Sequence, residues 1–395
     1  MDTTASDVPL PGLPLTRECP YHPPRGYEEP RARGPVTRVR LFDGKGIWAV
    51  TGHAAARALL ADPRLTVDRD KAEFPRLARL LVLGRPDRHP AMRALLRTDP
   101  PLHSRQRRAL LPSLALKRVQ SWRPALEAVA DARLDELAAG PTASAELVGA
   151  YIRPLVTAGM AEMLGVPEAE RPRLHDVVYR HFDAVPPLEE FLLSLLDGER
   201  GRPGGGLLDD LLTQVEAGSV TREEFVHYGT VLIVAGQDVT VSTIALAVLT
   251  LLTHPAELDR LRSGQVPWPD AIEELLRFLS LTGGLVRVAT ADIEVAGEVI
   301  RAGDGVVLLN PAANRDPALF EQPHRLDLDR GARNHLTFGF GVHQCIGQNL
   351  ARLDVETALR RLFDRFPALR LTVPVDQVPV RQGLVYSVSA LPVAW

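Results

Sequence analysis

The feature that most constrains this chain is an apolar run from Val231 to Leu252, 22 residues that contain a single charge, Asp238. A transmembrane helix needs about 20 apolar residues, so length alone permits a membrane span. However, a carboxylate near the middle of a span costs about 2.5–3.5 kcal/mol to insert, and no cluster of Lys or Arg follows the run. We therefore predict a long helix buried in protein and no membrane association.

This run lies inside a longer helical pattern with a defined start and end. Thr221 and Glu224 form a T-x-x-E capping box, in which each side chain bonds the backbone N–H of the other residue. His254-Pro255 marks the far end, because proline lacks the N–H that a helix interior needs. About 32 residues at about 1.5 Å each give a rod roughly 48 Å long. A helix of that length crosses a whole domain, so we predict that it is the spine of a helical fold.

The rest of the chain is mainly helical, with short β segments towards its two ends. Residues 36–50 predict a β-hairpin about Asp43-Gly44, and residues 90–285 are almost wholly helical in pattern. Short β segments follow Arg277, and one more helix follows Cys345. These patterns predict a mainly α fold with small peripheral β-sheets and a long central helix.

No composition break divides the chain into separate domains. Residues 1–25 are rich in proline and predict an extended arm, and residues 26–395 predict a single domain. The Gly-rich residues 198–206 predict a surface loop, because amphipathic helices continue on both sides of them.

Composition excludes several classes of protein and partner. The net charge is −3 and aromatic residues are 5% of the chain, so no basic surface for nucleic acid is expected. Cys19 and Cys345 are 326 residues apart, which argues against a secreted disulfide framework and for a reducing compartment. The first residues lack the basic and then apolar pattern of a signal peptide. We expect a cytoplasmic protein with neither a nucleic-acid nor a membrane partner.

The strongest chemical signal is the segment FGFGVHQCIGQ, from Phe338 to Gln348, in which Cys345 lies between glycines. Glycine lets a backbone turn tightly and approach a flat partner closely. A helix follows, and the unpaired N–H groups at its start stabilise a thiolate. A thiolate in such a loop can ligate haem iron. The alternatives are a buried structural cysteine and a redox thiol.

Three motifs together resemble those of the cytochrome P450 family. They are the F-x-x-G-x-H-x-C-x-G loop at 338–347, the E-x-x-R pair Glu274 and Arg277, and the A-G-x-(D/E) stretch at 235–238. The resemblance extends over nearly all 395 residues. It implies a cytochrome P450 fold in which the long helix crosses the distal face of haem b, with Cys345 as the axial ligand of the iron.

The resemblance also assigns residues around the haem. Propionates need cationic or hydrogen-bonding partners, preferably arginine forks, and His103, Arg107, Arg287 and His343 occupy the matching positions. The whole cofactor-binding set is His103, Arg107, Arg287, Phe338, Gly341, His343, Cys345 and Gly347. Beneath the haem, Glu274 and Arg277 are expected to join a buried network with Arg325 as its third member.

On the distal side, the resemblance implies that Gly236 leaves room for O2 and that Asp238 feeds a proton relay. The family's alcohol, which holds the iron-bound oxygen, is replaced here by Val239. Thr240 follows one residue later, about 100° further round the helix, so it does not simply substitute. Its alternative role is that of a core threonine bonding the helix backbone. The candidate catalytic residues are therefore Gly236, Asp238 and Thr240, in a site that departs from the family pattern.

Three functions remain open at this point. The first is a monooxygenase that hydroxylates or epoxidises a natural-product or peptide-type substrate in secondary metabolism, using O2. Its electrons would come from NAD(P)H through a separate ferredoxin reductase and ferredoxin, because the chain contains no flavin or nicotinamide domain. The second is a non-hydroxylating oxidation, such as phenol coupling, cyclisation, desaturation or nitration, which Val239 favours. The third is a non-catalytic haem-binding protein.

Two surfaces follow from the resemblance. A basic proximal face that includes Arg105, Arg108 and Arg352 is expected to dock an acidic ferredoxin, and the protein is expected to be a monomer. The substrate pocket is expected to be lined by residues 72–97, residues 180–192, Leu281 to Val286, and Leu384. Thr282-Gly283-Gly284 carries little side-chain bulk, which favours a large substrate.

Overall fold

The computed structural model describes residues 10–13, 16–77, 89–180, 185–198, 205–383 and 385–395. Some predicted features lie outside the described residues. These are the first nine residues of the arm, most of the Gly-rich loop, Leu384, and parts of the segments 72–97 and 180–192.

Helices make up most of the described chain. They are α1 (Glu28–Arg33), α2 (His53–Ala61), α3 (Leu102–Leu110), α4 (Leu116–Ser121), α5 (Arg123–Ala138), α6 (Arg153–Leu164), α7 (Arg171–Arg180), α8 (Val185–Leu196), α9 (Leu207–Glu216), α10 (Arg222–Thr253), α11 (Pro255–Arg262), α12 (Trp268–Leu279), α13 (Asn310–Ala313) and α14 (Gln348–Arg365). The strands are β1 (Val36–Arg40), β2 (Gly46–Val50), β3 (Leu65–Thr66), β4 (Ser144–Glu146), β5 (Leu285–Ala289), β6 (Ile293–Val295), β7 (Glu298–Ile300), β8 (Gly305–Leu308), β9 (Arg370–Leu371), β10 (Val380–Arg381), β11 (Ser387–Val388) and β12 (Pro392–Ala394). The prediction of a mainly α fold with small sheets is confirmed.

The predicted spine helix is α10, and its start is the predicted capping box. The Thr221 hydroxyl accepts from the Glu224 N–H at 3.1 Å, and the Glu224 carboxylate accepts from the Thr221 N–H at 3.0 Å. The helix runs for 32 residues and ends at His254. It is long and apolar enough to cross a membrane, but protein packs around most of its length.

Two hydrophobic cores lie along α10. Its first part, to Ile233, packs with residues of helices α6 to α9. Its second part, from Val241 to Leu251, packs with residues of α5, α6, α12 and α14. This burial on all sides explains why the helix is apolar all round rather than amphipathic. The residues between the two cores, 234–240, are the part of the helix that can face something else.

The sheets lie at the edge of the helical body. The largest has the strand order β1-β2-β8-β5-β3, with β2 parallel to β8 and the other neighbours antiparallel. Strands β1 and β2 form the predicted hairpin about Asp43-Gly44, with Gly44 at φ 85°. Smaller sheets join β10 to β11, β6 to β7, and β9 and β4 to β12. The β10–β11 pair matters for the site described below, because it carries Arg381.

The N-terminal segment is anchored by a buried arginine. Arg17 donates to the carbonyl of Leu279 at 3.0 Å and to that of Ser280 at 2.5 Å, and it lies over the Tyr386 ring. Gln382 bonds the backbone of Arg17 in both directions. These contacts tie the described part of the segment to the end of α12 and to the turn between β10 and β11.

Candidate active site

The central helix has an open face between its two cores. Ala235 is exposed and Val239 is 37% exposed, and the two lie one turn apart on the same face. At Gly236 a Cβ would lie 3.1 Å from the Met160 side chain, so a larger residue would press against α6. This open face belongs to the part of the helix, around Gly236, where the family resemblance implies room for O2.

The Cys345 loop folds back on itself through two glycines. Gly339 and Gly341 have φ values of 69° and 73°, in the left-handed region that glycine enters without strain. A Cβ on Gly341 would lie 2.6 Å from the backbone oxygen of Leu60, so no larger residue fits. The Cys345 N–H donates to the Phe338 carbonyl at 2.8 Å and closes the loop.

Cys345 is an accessible thiol deep inside the protein. Its side chain is exposed, yet protein surrounds it and burial raises the pKa of its thiol. The Gly347 N–H and the charges of Arg107 and Arg352 act in the opposite direction on that pKa. Arg107 also donates to the Gln344 carbonyl at 2.7 Å. A group that is both accessible and enclosed lies on the wall of an internal space.

The predicted propionate partners come together beside this loop. The His103 and His343 rings are 4.1 Å apart between centroids, and His343 Nε2 lies 3.5 Å from Asp99 Oδ1. Burial and the neighbouring His343 lower the pKa of His103 to about 4. For Asp99, burial would raise the pKa, but hydrogen bonds from His343 and Thr66 outweigh it and hold the pKa at about 2.

Arg287 belongs to the same cluster. Burial lowers the pKa of its guanidinium to about 10, while the charge of Asp99 raises it and that of Arg69 lowers it. Its Nη1 donates to the carbonyl of its own neighbour, Val286, at 2.8 Å. The fold therefore brings His103, His343 and Arg287 together, as the family resemblance implied.

Beneath the loop, Glu274 and Arg277 form the predicted buried network. Both side chains are fully buried, and Arg277 Nε lies 2.6 Å from Glu274 Oε2. The prediction that Arg325 is the third member is wrong, because Arg330 Nε lies 3.1 Å from Glu274 Oε1. Arg325 is exposed, and its carbonyl accepts a hydrogen bond from Arg330. The two arginines are five residues apart, and the sequence does not indicate which one turns inward.

Asn314 connects this network to the Cys345 loop. Arg277 Nη1 donates to the Asn314 carbonyl at 2.7 Å. The Asn314 side chain accepts from the Leu336 N–H at 2.7 Å and donates to the Thr337 hydroxyl at 3.0 Å. These are the two residues that precede Phe338, so the start of the loop is fixed to the buried ion pair.

Glu273, which the sequence analysis did not select, holds both flanks of the loop. Its carboxylate lies 3.2 Å from His335 Nε2 before the loop and 2.5 Å from Arg352 Nε after it. Burial would raise the pKa of Glu273, but His335 and Arg352 outweigh it and lower the pKa to about 2. Arg352 also lies over the Phe338 ring, 4.6 Å from its centroid. Adjacent acidic residues on α12 therefore bind different partners, Glu274 the buried arginines and Glu273 the flanks of the loop.

The distal polar residues are arranged differently from the sequence expectation. Asp238 pairs with Arg381 of β10, and its side chain is 18% exposed. Thr240 is buried. The hydroxyl that bonds the helix backbone is that of Thr243, which donates to the Val239 carbonyl at 2.7 Å. Gln237 turns away to donate to Thr157 at 2.8 Å.

Two of the three arginines expected on a basic proximal face have their charges compensated. Arg105 pairs with Glu224 at the start of α10, and Arg352 pairs with Glu273. Arg108 is exposed. The sequence does not show which acidic residues the fold places beside these arginines, and a basic proximal face that docks an acidic ferredoxin stays a prediction.

A cavity of about 720 Å³ opens beside His343 and Arg287. Its wall includes parts of two segments that the sequence predicted. These parts are Ala72, residues 74–77, Arg93 and residues 95–97 from the first segment, and Thr282 with residues 284–286 from the second. Val385 lines it next to the position of Leu384, which lies outside the described residues. Of the segment 180–192, no described residue lines this cavity.

The residues present fit a haem held by a thiolate. Cys345 presents an accessible sulfur in the interior, and no cluster of three or more metal-ligating side chains occurs among the described residues, so a porphyrin would have to supply the remaining ligands. His103 Nδ1 is buried without a hydrogen-bond partner in the described part of the chain. Buried polar atoms are almost always bonded in native proteins. A propionate carboxylate would supply the acceptor that His103 Nδ1 lacks.

Comparison with known proteins agrees with this geometry. The family model for cytochrome P450 matches residues 269–385. Pentalenic acid synthase of Streptomyces avermitilis is 45% identical over 99% of each chain, and vitamin D3 dihydroxylase of Streptomyces griseolus is 42% identical over 100% of this chain and 99% of its own. The crystal structure of cytochrome P450 MoxA from Nonomuraea recticatena superimposes with a TM-score of 0.90 at 35% identity, covering 97% of this chain and 98% of that one.

The fold, the accessible thiol and these relatives define a haem-thiolate oxidoreductase, and the chain belongs to the cytochrome P450 family. It is an enzyme of the bacterial, actinobacterial type, a P450 monooxygenase or a related P450 oxidase. The expectation of a P450 fold is confirmed.

Proposed function

We propose that this enzyme inserts one oxygen atom of O2 into a natural-product or peptide-type substrate in bacterial secondary metabolism. The reaction is R–H + O2 + 2e⁻ + 2H⁺ → R–OH + H2O, or the corresponding epoxidation. The observation that carries the proposal is the accessible thiol of Cys345, held in the interior by a loop that is fixed at both flanks and lies close to a large cavity.

In this proposal the Cys345 thiolate would hold the iron of haem b. A thiolate-bound haem would supply the electron density that favours O–O cleavage. The Gly347 N–H and the Arg107 charge favour the thiolate over the thiol. Phe338 and Gly341 shape the loop. His103, Arg287 and His343 are the partners of the propionates, and Arg107 adds positive charge on the same side.

On the distal side, Asp238 is the proton-relay residue, and Gly236 leaves room at the open face of α10. Arg381 fixes the position of the Asp238 carboxylate by donating to its Oδ2. Val239 presents methyl groups on that face, so it neither donates nor accepts a hydrogen bond. We infer that Thr240, which is buried, contributes an alcohol there only if an ordered water or the substrate reaches it.

A second candidate function is favoured by one observation. Val239 is 37% exposed on the open face of α10, at the position where the family pattern has an alcohol. Oxidations such as phenol coupling, cyclisation, desaturation or nitration depend less on delivery of a second proton. A non-catalytic haem-binding role is disfavoured because Asp238 and the complete Cys345 loop are both present.

The electrons would come from NAD(P)H through a separate ferredoxin reductase and ferredoxin. Arg108 is exposed, and so are Val342 in the Cys345 loop and Leu116 on α4, at 53% and 58%. These residues would give a docking surface a cationic component and an apolar component, as protein interfaces commonly have. We place the enzyme in the cytoplasm as a monomer, where such partners are available.

Reconstituted turnover tests this function and separates the two candidates. The holoenzyme is supplied with NADPH, a ferredoxin reductase, a ferredoxin and a panel of candidate scaffolds, and product and H2O2 are counted per NADPH. Oxygenated product in wild type, less of it in Asp238→Asn, and a changed ratio of product to H2O2 in Val239→Thr support a monooxygenase. Coupled, cyclised or desaturated product that is insensitive to Val239→Thr supports the second candidate. Unchanged yields in both variants would refute the roles given to Asp238 and Val239.

A further inference from the structure

The wall of the large cavity combines an apolar part with a strongly cationic part. Apolar side chains include those of Leu95, Leu285, Val286 and Val385. The cationic side chains in the wall are Arg69, Lys71, Arg76, Arg93, Arg97 and Arg287, whereas the acidic side chain in the described wall is Asp70 alone. Six positive charges therefore face one negative charge, in a chain whose net charge is −3.

Asp70 is fully engaged by two of these arginines. Its Oδ2 lies 2.8 Å from Arg93 Nη2, and its Oδ1 lies 2.9 Å from Arg97 Nη2. Both carboxylate oxygens are thus committed, and Arg97 is buried behind them with a side chain that is 6% exposed. Its single negative charge is already outweighed by the two positive charges of Arg93 and Arg97, so it leaves no excess negative charge for Lys71 or Arg76.

Two neighbouring acids, Glu73 and Asp99, do not line the cavity. The Glu73 side chain lies against Gly303, with its Cγ 4.0 Å from the position a Cβ would take there. Asp99 is taken up by His343 and Thr66. The sequence itself is locally basic, because residues 69–97 contain eight Lys or Arg residues and three Asp or Glu residues. Excess positive charge is therefore a property of this segment and not of the chain as a whole.

A bound haem would offset part of the excess positive charge in the cavity wall. This step rests on the proposed function. The two propionates of the haem would pair with Arg287 and His343, which line the cavity, and with the adjacent His103. Together with Asp70, these two negative charges still leave an excess of positive charge in the wall. Lys71 and Arg76, both exposed, are at the outer part of the same wall. Like charges gathered in a cleft with low-dielectric walls attract a ligand of opposite sign.

We infer that the substrate is an amphiphilic carboxylic acid, and that Lys71 and Arg76 bind its carboxylate. The apolar side chains receive the body of the molecule, and the cationic residues hold the acid near the mouth. An arginine fork matches a carboxylate geometrically, and a lysine adds a point charge. This fixes the end of the substrate that stays at the mouth and so orients the opposite, apolar end towards the open face of α10.

The test compares acids with their uncharged analogues on the holoenzyme. Decanoic acid, tetradecanoic acid and abietic acid are each paired with the primary amide of the same acid, and binding is measured by equilibrium dialysis. We expect each acid to bind about tenfold more tightly than its amide, which corresponds to two partly exposed charge pairs. The preference should fall to less than about twofold in the double variant Lys71→Gln/Arg76→Gln, and in wild type it should weaken as salt rises.

A matched control removes two arginines outside the cavity wall. Arg133→Gln/Arg360→Gln changes the net charge by the same amount, because it also removes two positive charges, and both arginines form surface ion pairs on α5 and α14. The control should keep the full preference for acids. The inference is overturned if acids and amides bind wild type equally, if no acid of the series binds, or if the preference survives in Lys71→Gln/Arg76→Gln. Dialysis measures binding and does not depend on turnover. The proposed function is tested separately by the CO spectrum of the reduced protein, and a protein without a thiolate-ligated haem would refute it.

Discussion

The side of the protein beneath the Cys345 loop and the side that forms the cavity use charged residues in opposite ways. Beneath the loop, Glu273, Glu274, Arg277, Arg330 and Arg352 all have partners of opposite charge within 3.1 Å. We call these five residues the proximal network. In the cavity wall, positive charge exceeds negative charge, and Lys71 and Arg76 are exposed.

This difference separates two tasks. A buried charge that loses its partner is very costly, so the proximal network tolerates few geometries and fixes the position of the thiol. An exposed charge in a cavity costs little and stays available to a ligand. Changes in the proximal network should therefore affect stability and haem ligation, whereas changes at the cavity should affect binding and turnover. The following predictions would break or sharpen that comparison.

The largest effect is expected from Glu274→Gln. This change leaves the buried Arg277 and Arg330 without their carboxylate, and breaking a buried pair costs about 3–5 kcal/mol. Urea unfolding of the holoenzyme should show that loss in the free energy of unfolding. Glu29→Gln is the control, because Glu29 pairs with Arg33 at the surface and such pairs are worth at most about 1 kcal/mol. Equal losses in the two variants would contradict the role of the network.

A smaller but more specific effect is expected from Glu273→Gln. Arg352 and His335 would lose their shared carboxylate, at a cost of about 1–3 kcal/mol. Both flanks of the Cys345 loop should loosen. The measurement is the rate at which the reduced CO adduct loses its red-shifted Soret band, which should rise several-fold. Asp270 lies on the same helix as Glu273 and pairs with the exposed Arg333. Asp270→Asn should therefore leave that rate unchanged. If both variants lose the band equally fast, Glu273 has no special role.

On the distal side, Arg381→Gln should have a modest effect on turnover and none on the Soret band. Arg381 is 54% exposed, and an exposed ion pair is worth at most about 1 kcal/mol, or roughly fivefold in rate. We expect a few-fold rise in H2O2 per NADPH, because the Asp238 carboxylate loses its donor. Arg381→Lys keeps the charge and should restore most of the coupling. An unaltered yield of H2O2 in Arg381→Gln would separate this ion pair from proton delivery.

The smallest effect concerns stability in acid. Burial, followed by the charge of Arg315, lowers the pKa of His22 to about 4, whereas an unfolded histidine titrates near about 6.5. The unfolded state therefore takes up a proton before the folded state does, and the free energy of unfolding falls as pH drops from about 6.5 to about 4. His22→Gln should make that fall shallower by no more than about 1 kcal/mol. Thermal unfolding at several pH values measures it, and an identical pH slope in the variant would show that His22 does not contribute.

Local patterns were sufficient to predict the helix from Arg222 to Thr253 and the hairpin about Asp43-Gly44. The signal of the helix is a capping box and that of the hairpin is a turn dipeptide, and each of these signals is contained within a few consecutive residues. The residues beside Cys345 were found through the resemblance, because His103 and His343 are 240 positions apart and meet only in the fold.

Pairings between distant residues could not be predicted in this way. Arg330 rather than Arg325 reaches Glu274, and Arg381 reaches Asp238 across 143 positions. Glu273 went unnoticed because its neighbour Glu274 carried the recognised motif. The sequence did contain a signal for Glu273, because it places two adjacent acidic residues on a helix that faces the core. A buried acid requires a partner, so both residues were candidates for ion pairs.

The central claim is that Cys345 is the thiolate ligand of a haem, and the CO difference spectrum of the reduced protein tests it most directly. Wild type should show the red-shifted Soret band of thiolate ligation. Cys345→Ala should lose that band and much of its haem, while Cys19→Ala, which removes the chain's other thiol, should keep both. A normal thiolate band in Cys345→Ala, or a wild-type protein that binds no haem, would contradict the account.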